Sequence, residues 1–310
     1  MKKIYYKHPD EIPSIEETAV ALGLFDGVHI GHRALISETV RLAEERGLLP
    51  AVFTFRDGAG LKEGVPRIYG EDERFLIFEE LGVKLVFVAD FASVSALSPD
   101  DFVKDILIGK MSASIALCGK NFRFGHRASG TGEELVALMR AVGRDARTLN
   151  IETYDLGDGE QEVSSTGIRA LLARGDVGGA SVLLGSPYKL CSTVERGMGL
   201  GHTYGYPTVN TPLRADIPLR SGVYRTEVKI DGKVYTGLTN VGTCPTFGER
   251  EMHAETFILD FSDEIYGKEI ELFFTDFIRE ERRFSSSEEL ALEIRKNIKE
   301  VMERGRSEEV

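Results

Sequence analysis

The chain has 310 residues but no tryptophan, only three cysteines and no long apolar run. The three cysteines, Cys118, Cys191 and Cys244, are distant and odd in number, so they form neither a zinc site nor a disulfide framework. This usage favours a reducing, cytoplasmic location. Nothing approaches the roughly 20 apolar residues of a membrane span. A charge also interrupts the amino terminus before a signal-peptide core could form, so we expect no membrane partner.

The chain also has fewer cationic than acidic residues. Lysine and arginine number 38 against 50 acidic residues, a net charge of −12, and no segment concentrates the cations. Because affinity for a phosphate backbone needs clustered cations, we expect no nucleic-acid partner. A nucleotide substrate remains compatible, since it needs only a local positive site. The length favours two domains.

The first part of the chain alternates apolar runs with amphipathic segments. The apolar runs are continuous, as in parallel strands covered on both faces. Start signals such as the Thr131-to-Glu134 capping box precede the helices between them. This pattern predicts an α/β domain. The predicted strands cover residues 19–25, 50–55, 84–89, 114–118 and about 148–154.

The hydrophobic pattern of the sequence changes near residue 185. Short alternating runs follow, separated by turn signals such as Asp231-Gly232, which predicts a small antiparallel barrel. A final helix is expected after the cap at Ser285, since apolar residues then recur at helical spacing. We therefore expect domains at residues 1–184 and 185–310. The predicted barrel strands cover residues 222–230, 233–239, 255–261 and 268–274.

The most informative segment carries two histidines, His29 and His32, around Gly31. It follows an apolar strand and precedes an amphipathic helix. The free N–H groups and the dipole at a helix start attract anions, and two imidazoles can donate to charge that develops on a phosphate. The pattern is the HxGH signature of nucleotidyltransferases, which transfer AMP and release pyrophosphate. The alternative is an ordinary turn with two surface histidines.

Two further segments could contact a ligand. The loop of residues 119–125 follows a predicted central strand, where Asn121 can bind a polar group and aromatic rings can form a wall. Ser164, Ser165 and Thr166 open another helix, with Arg169 one turn on, and such hydroxyls and guanidinium can bind phosphates. The alternatives are a turn with two core phenylalanines and a simple helix cap.

The second half offers a glycine-rich loop and a carboxylate. Glycines at alternate positions of residues 197–205 would let backbone N–H groups approach a phosphate closely. The alternative is a flexible surface loop with no ligand. Thr208 and Asn210 carry oxygen ligands suited to Mg²⁺. Glu255 lies on an otherwise apolar strand face. There it would act either as a general base or as one member of a structural ion pair.

Taken in order, these segments resemble the bifunctional bacterial riboflavin kinase/FMN adenylyltransferase (FAD synthetase) family over nearly the whole chain. The resemblance implies a Rossmann-like nucleotidyltransferase domain followed by a β-barrel riboflavin kinase domain with a C-terminal helix. Its motifs in this chain include residues 23–35, 97–103, 119–125, 164–177, 205–210, 221–224, 240–242 and 245–247, together with Glu255, residues 266–268, Arg279 and Phe284.

The resemblance implies two ATP-dependent steps, with riboflavin, FMN and FAD as substrates or products and Mg²⁺ accompanying ATP. In the first step riboflavin is phosphorylated to FMN, and in the second FMN is adenylylated to FAD. It assigns four catalytic residues: His29, His32 and Arg169 for adenylyl transfer and Glu255 as the kinase base. The implied nucleotide- or phosphate-binding residues are Gly23, Phe25, Asp26, Gly27, Asn121, Ser164, Ser165, Thr166, Gly199, Gly201 and Pro207, the flavin-binding residues Phe124, Tyr266 and Arg279, and the metal ligands Thr208 and Asn210.

Two departures from the family pattern keep alternatives open. Leu200 and His202 stand about where the family usually carries arginines, and Arg56-Asp57-Gly58 replaces a usual Pro-His-Pro segment. A chain with one working half would be an FMN adenylyltransferase or a riboflavin kinase alone. A flavin-binding regulatory protein is the alternative from another class. The sequence leaves the oligomeric state open.

Overall fold

The computed structural model describes residues 1–57, 64–151, 153–155, 160–196, 208–244 and 251–308. Contacts between Cα atoms divide the chain into two compact units, Met1–Ser165 and Thr166–Val310. Each unit has its own six-stranded sheet.

The first unit is built on a parallel sheet with the strand order β1-β4-β3-β2-β5-β8. The order reverses at β2, because the chain moves first to one side of this strand and later to the other. Ligands of such sheets bind outside the carboxyl ends of the strands at this reversal. The main elements are β1 (Lys2–Tyr6), β2 (Thr18–Leu22), α1 (Ile30–Arg46), β3 (Leu49–Phe55), α2 (Glu71–Glu80), β4 (Leu85–Ala89), α3 (Phe91–Ser95), α4 (Pro99–Asp101, continued as a π-helix over Phe102–Lys110), β5 (Ala113–Gly119), β6 (Arg123–Phe124), β7 (Gly130–Thr131), α5 (Gly132–Ala141) and β8 (Asp145–Leu149).

Burial explains why these strands read as continuous apolar runs. Every residue of β2 and β4 is buried, since helices cover both faces of the sheet. The predicted α/β architecture is confirmed. The strand expected at about 148–154 lies instead at β8, where a half-buried edge carries Asp145 and Arg147 and so lacks the expected apolar run.

The second unit contains an antiparallel sheet with the order β11-β16-β13-β14-β15-β12. Its edge strands approach each other, because Ser192 Oγ donates to the Pro212 carbonyl at 2.7 Å and Glu195 bridges to Asn210. The predicted antiparallel barrel is confirmed. The first unit also contains the hairpin of β9 (Thr153–Asp155) and β10 (Glu160–Glu162). The remaining elements of the chain are α6 (Ser165–Ala173), α7 (Val177–Leu184), β11 (Tyr188–Thr193), β12 (Thr208–Leu213), β13 (Gly222–Ile230), β14 (Lys233–Cys244), β15 (Glu251–Ile258), β16 (Glu269–Arg279) and α8 (Ser287–Glu308).

The two faces of the curled sheet have different neighbours. Tyr224 and Phe274, both fully buried, belong to one face. Val223 and Leu238 belong to the other face and pack with Val301 of α8. The predicted C-terminal helix therefore covers part of the outer face of the sheet.

The helices α6 and α7 follow the first sheet in the chain, and contacts group them with the second unit. Gly175, between them, packs closely against Phe277 of β16. The expected functional boundary at residues 184 and 185 stays a prediction. No helix in the described ranges is long and apolar enough to cross a membrane.

Two candidate active sites

The turn between β2 and α1 brings the two histidines together at the carboxyl end of a central strand. His29 is the N-cap of α1, and its Nδ1 accepts the backbone N–H of His32 at 3.4 Å. The two rings stack with centroids 3.7 Å apart and an interplanar angle of 21°. Both imidazoles therefore lie at the positive end of a 17-residue helix.

This turn holds several residues in the left-handed region of backbone space. Gly27 has φ of 84°, but Phe25 and the β-branched Val28 also have positive φ, at 55° and 40°. Such conformations persist only where the surroundings enforce them, and they concentrate at functional sites. The ring of Phe25 meets His32 edge-on at 5.2 Å and is itself buried. Phe25 therefore supports the ring of His32.

Glycine is required at position 31 because another segment passes close by. A Cβ on Gly31 would lie 2.1 Å from the backbone oxygen of Ile151. The side chain of Ile151 also occupies the space above Gly119, where a Cβ would lie 2.7 Å from its Cδ1. Ile151 therefore packs between the start of α1 and the loop after β5.

Asp26 holds the turn to neighbouring segments. Its Oδ1 accepts the backbone N–H of Ile68 at 3.0 Å, and its carbonyl accepts the hydroxyl of Ser165 at 2.9 Å. Gly23, earlier in the turn, lies under the Phe25 ring, which a Cβ there would approach to 2.9 Å. These contacts give Asp26 and Gly23 a clear part in shaping the turn.

Burial keeps both histidines in the neutral form. His29 is 4% exposed, and burial lowers its pKa to about 4. Burial, reinforced by the neighbouring His29, lowers the pKa of His32 well below its usual value. Because Nδ1 of neutral His29 accepts a hydrogen bond, its proton lies on Nε2, which leaves Nε2–H as a donor.

We expect these two of the six histidines to resist titration, and proton NMR can test this. Their C2-proton shifts should stay constant as the pH falls from about 8 to about 5, where ordinary histidines with pKa near 6.5 become charged. The linked stability of the neutral His29 is full above pH 6.5 and is lost as the pH falls toward about 4. If the signals of His29 and His32 titrate near pH 6.5, the two imidazoles are not held neutral by burial.

The loop after β5 presents Asn121 at the surface beside Gly119. Phe124 is only 7% exposed and belongs to the hydrophobic core, where it contacts Phe102 and stacks on Phe122. Phe122 is the more exposed of the two stacked rings. A flavin contact by Phe124 stays a prediction.

The hydroxyl and arginine segment occupies the start of α6. Ser164 directly precedes the helix and Ser165 is its first residue. Thr166 is exposed and Arg169, one turn on, is half-buried. Ser165 contacts the histidine-bearing turn, because its hydroxyl donates to the carbonyl of Asp26 at 2.9 Å.

In the second unit, neighbouring strands place polar side chains on one sheet face. Glu255 of β15 pairs in register with Asn210 of β12 on one side and Asn240 of β14 on the other. The hydroxyl of Thr208 donates to Glu255 Oε1 at 2.7 Å. The sequence analysis places Asn240 in a family motif but gives it no role at the site, because only the strand register brings it beside Glu255.

A cavity of about 330 Å³ opens between these residues and α8. Glu255, Thr208 and Arg279 line it together with apolar side chains that include Leu238 and Ile294. Arg279 is held by a hydrogen bond from its Nε to Asn297 Oδ1 at 3.0 Å. The structure therefore brings Arg279 to the same cavity as Glu255.

Tyr266 lines a different cavity, of about 530 Å³. This second cavity also includes Asp263, Glu264 and Thr208. The Arg196 guanidinium lies 5.3 Å from the Tyr266 ring centroid. The two cavities thus share Thr208, but Tyr266 and Arg279 are in separate ones.

Several expected contacts lie outside the described residues. These are Gly199, Gly201 and Pro207, and with them the family departures at Leu200 and His202. Within the described ranges, no cluster of three or more His, Cys, Asp or Glu side chains could hold a metal ion.

Comparison with known proteins supports two catalytic halves. A family model described as FAD synthetase matches residues 11–167, and one described as riboflavin kinase matches residues 184–304. The bifunctional riboflavin kinase/FMN adenylyltransferase of Bacillus subtilis is 33% identical, covering 97% of this chain and 98% of the relative. The protein of the same name from Escherichia coli is 32% identical, with 90% of each chain covered.

A solved structure extends the likeness to the fold of the whole chain. A protein of Streptococcus pneumoniae described as a macrolide-efflux protein matches with a TM-score of 0.82 and 27% identity, covering 96% of this chain and 98% of that one. Its description concerns transport, whereas both family models and the named relatives concern flavin synthesis. The chain belongs to the bifunctional riboflavin kinase/FMN adenylyltransferase family, and its two transferase activities are those of this family.

Proposed function

We propose that adenylyl transfer takes place at the turn bearing His29 and His32, and phosphoryl transfer at Glu255 and Thr208. The observation that carries the first assignment is the stacked histidine pair at the start of α1. The second rests on the hydrogen bond between Thr208 and Glu255 at the edge of a ligand-sized cavity.

In adenylyl transfer, an FMN phosphate oxygen attacks the α-phosphorus of ATP. The new P–O bond forms while the bond to the β-phosphate oxygen breaks, so pyrophosphate leaves. His29 donates from Nε2 to the developing negative charge, and His32 supports it from the stacked ring. Ser164, Ser165, Thr166 and Arg169 are proposed to bind the remaining phosphates, and Asn121 a polar group of the substrate.

In phosphoryl transfer, Glu255 accepts the proton of the riboflavin 5′-hydroxyl as its oxygen attacks the γ-phosphorus. The bond between the γ-phosphorus and the bridging oxygen breaks, and ADP leaves. Thr208 keeps the carboxylate oriented through its 2.7 Å hydrogen bond. Positioning and charge neutralisation supply most of the catalysis in such transfers.

The two cavities suggest where each substrate binds. We assign the flavin ring to the cavity with Arg279, whose apolar walls suit a flat aromatic system. We assign the adenosine part of ATP to the cavity with Tyr266, where Asp263 and Glu264 can accept from ribose hydroxyls. With this assignment the reacting groups meet at Thr208. Tyr266 then contacts the nucleotide, whereas the family resemblance implies that it contacts the flavin.

The donor set around Thr208 fits Mg²⁺ that arrives with ATP. Thr208 and Asn210 contribute neutral oxygens, and Glu255 lies beside them in register. Magnesium commonly takes few protein ligands and keeps substrate phosphates and waters as the others. When bound, it would neutralise phosphate charge. Gly199, Gly201 and Pro207 stay predictions for phosphate binding.

The first experiment is a chromatographic assay of the purified chain with ATP, Mg²⁺ and either riboflavin or FMN. We expect FAD from both substrates, with FMN appearing before FAD when riboflavin is supplied. FAD from FMN alone would mean that the kinase half is inactive, as the Leu200 and His202 departures would allow. FMN without FAD would place the fault in the first half, and binding without turnover would favour a regulatory protein. We further propose a cytoplasmic location, because both reactions consume ATP.

A further inference from the structure

Arg74 of α2 is a buried cation whose four hydrogen-bond acceptors lie at the carboxyl edge of the parallel sheet. Its side chain is only 4% exposed. Its Nη1 donates to the Leu24 carbonyl at 3.0 Å and to Thr54 Oγ1 at 3.1 Å. Its Nη2 donates to the Phe55 carbonyl at 3.2 Å and to Asp57 Oδ1 at 3.0 Å. These bonds to the two terminal nitrogens offset much of the hydration that the charge loses on burial, whereas Nε is buried without a hydrogen-bond partner in the described part of the chain.

These bonds join segments that are distant in sequence. Leu24 follows β2, whereas Thr54 and Phe55 end the neighbouring strand β3. The Thr54 hydroxyl also donates to the Leu24 carbonyl at 2.9 Å. The Leu24 carbonyl therefore accepts two hydrogen bonds, and the planar guanidinium ties the segment after β2 to the end of β3.

The position of Leu24 matters because the strained turn begins there. Phe25 comes next, with φ of 55°, and Val28 precedes His29 with φ of 40°. Since strained residues relax when their anchors are lost, the fixed carbonyl at one end of the turn controls where the imidazoles lie at the other.

Asp57 completes this arrangement in the segment where the family usually has Pro-His-Pro. Its Oδ1 accepts from Arg74, and its Oδ2 pairs with Arg67 at 2.9 Å. Asp57 and Glu71 at the start of α2 also exchange backbone-to-carboxylate hydrogen bonds at 3.0 and 3.2 Å. In this chain Asp57, which stands in that segment, thus supplies a carboxylate that orients Arg74.

We propose that Arg74 is a positioning residue for adenylyl transfer, because its guanidinium fixes the turn that presents His29 and His32. The inference rests on the proposed assignment of these histidines. Arg74 touches no reacting atom and acts through the Leu24 carbonyl.

The test measures both reactions of the full chain carrying Arg74→Met. The kcat for FAD formation from FMN should fall about 100-fold, because small displacements of catalytic groups have effects of this size. The KM values for ATP and FMN should change little, and FMN formation by the other half should stay near the wild-type rate. Arg74→Lys should have a kcat between those of Arg74→Met and the wild type, since lysine keeps the charge but not the planar set of donors. Added guanidinium, well below denaturing concentrations, should partly restore FAD formation by Arg74→Met.

Arg144→Met is the matched control. Arg144 also bridges two segments of this sheet, because its Nη1 donates to Glu17 Oε1 and to Ser114 Oγ at 2.7 and 2.8 Å. These partners lie at the amino ends of β2 and β5, away from the histidine-bearing turn. This variant should keep the wild-type kcat for FAD formation.

The outcomes separate the inference from the assignment beneath it. An unchanged kcat in Arg74→Met would overturn the positioning role, as would a loss that Arg144→Met reproduces. If Arg74→Met does not fold, a folded Arg74→Lys with full kcat overturns it equally. If His29→Ala and His32→Ala leave FAD formation intact, the assignment of the reaction to this turn fails instead.

Discussion

Replacing Glu255 with glutamine should nearly abolish FMN formation while FMN-to-FAD conversion continues at the wild-type rate. The amide oxygen of glutamine can still accept from Thr208, so the local geometry survives. The substituted side chain cannot take the proton of the riboflavin hydroxyl. Because general base catalysis contributes about 10² to 10⁴-fold, we expect a kcat loss in this range. Initial rates of FMN formation from riboflavin measure it.

Glu269→Gln is a suitable control for this substitution. Glu269 is an exposed carboxylate on β16 of the same sheet, and the change should leave both reactions intact. If Glu255→Gln retains the wild-type rate of FMN formation, Glu255 is not the base. Equal losses in both reactions would point to damage that is not confined to the kinase site.

Removing both imidazoles, by His29→Ala together with His32→Ala, should have the opposite effect. FAD formation from FMN should fall about 10³-fold or more, because each lost donor to a developing oxyanion commonly costs 10² to 10³-fold. Riboflavin phosphorylation should persist. Initial rates with FMN and with riboflavin as separate substrates measure the two effects.

A second variant separates catalysis from helix capping in that experiment. His29 accepts a backbone N–H as the N-cap of α1, so alanine also removes a cap worth about 1 kcal/mol. His29→Asn keeps a capping acceptor and should still lose most of the FAD-forming activity. His8→Ala, which changes an exposed histidine of the same unit, should lose none. Normal FAD formation in the double alanine variant would refute the assignment.

The features that sequence could predict depend on local pattern. The buried strand β2 has no exposed residue and reads as a continuous apolar run, so its position before the histidine turn was predictable. The hairpin of β13 and β14 was marked by Asp231-Gly232, and both of these residues have positive φ. In these cases one physical preference acts over a short stretch.

The features that sequence could not predict arise from long-range pairing. β1 has the sequence Lys-Lys-Ile-Tyr-Tyr, and only two of its five residues are buried, so no continuous apolar run marks it as a strand. It is a strand because it pairs with β4, which is distant in sequence. Arg74 resembles any charged residue of an amphipathic helix until its four acceptors are seen. Asn240 joins Glu255 only through the pairing of β14 with β15.

The cavities that meet at Thr208 have a consequence for inhibitor design. Because Thr208 lines both cavities, a planar aromatic group for the first and a nucleoside-like group for the second could be joined in one molecule by a linker that passes this threonine. Joining two weak binders in this way makes the second contact intramolecular, and the gain depends on how well the linker matches the distance. Under the proposed assignment of riboflavin and ATP to these cavities, a ligand of this kind would block riboflavin phosphorylation.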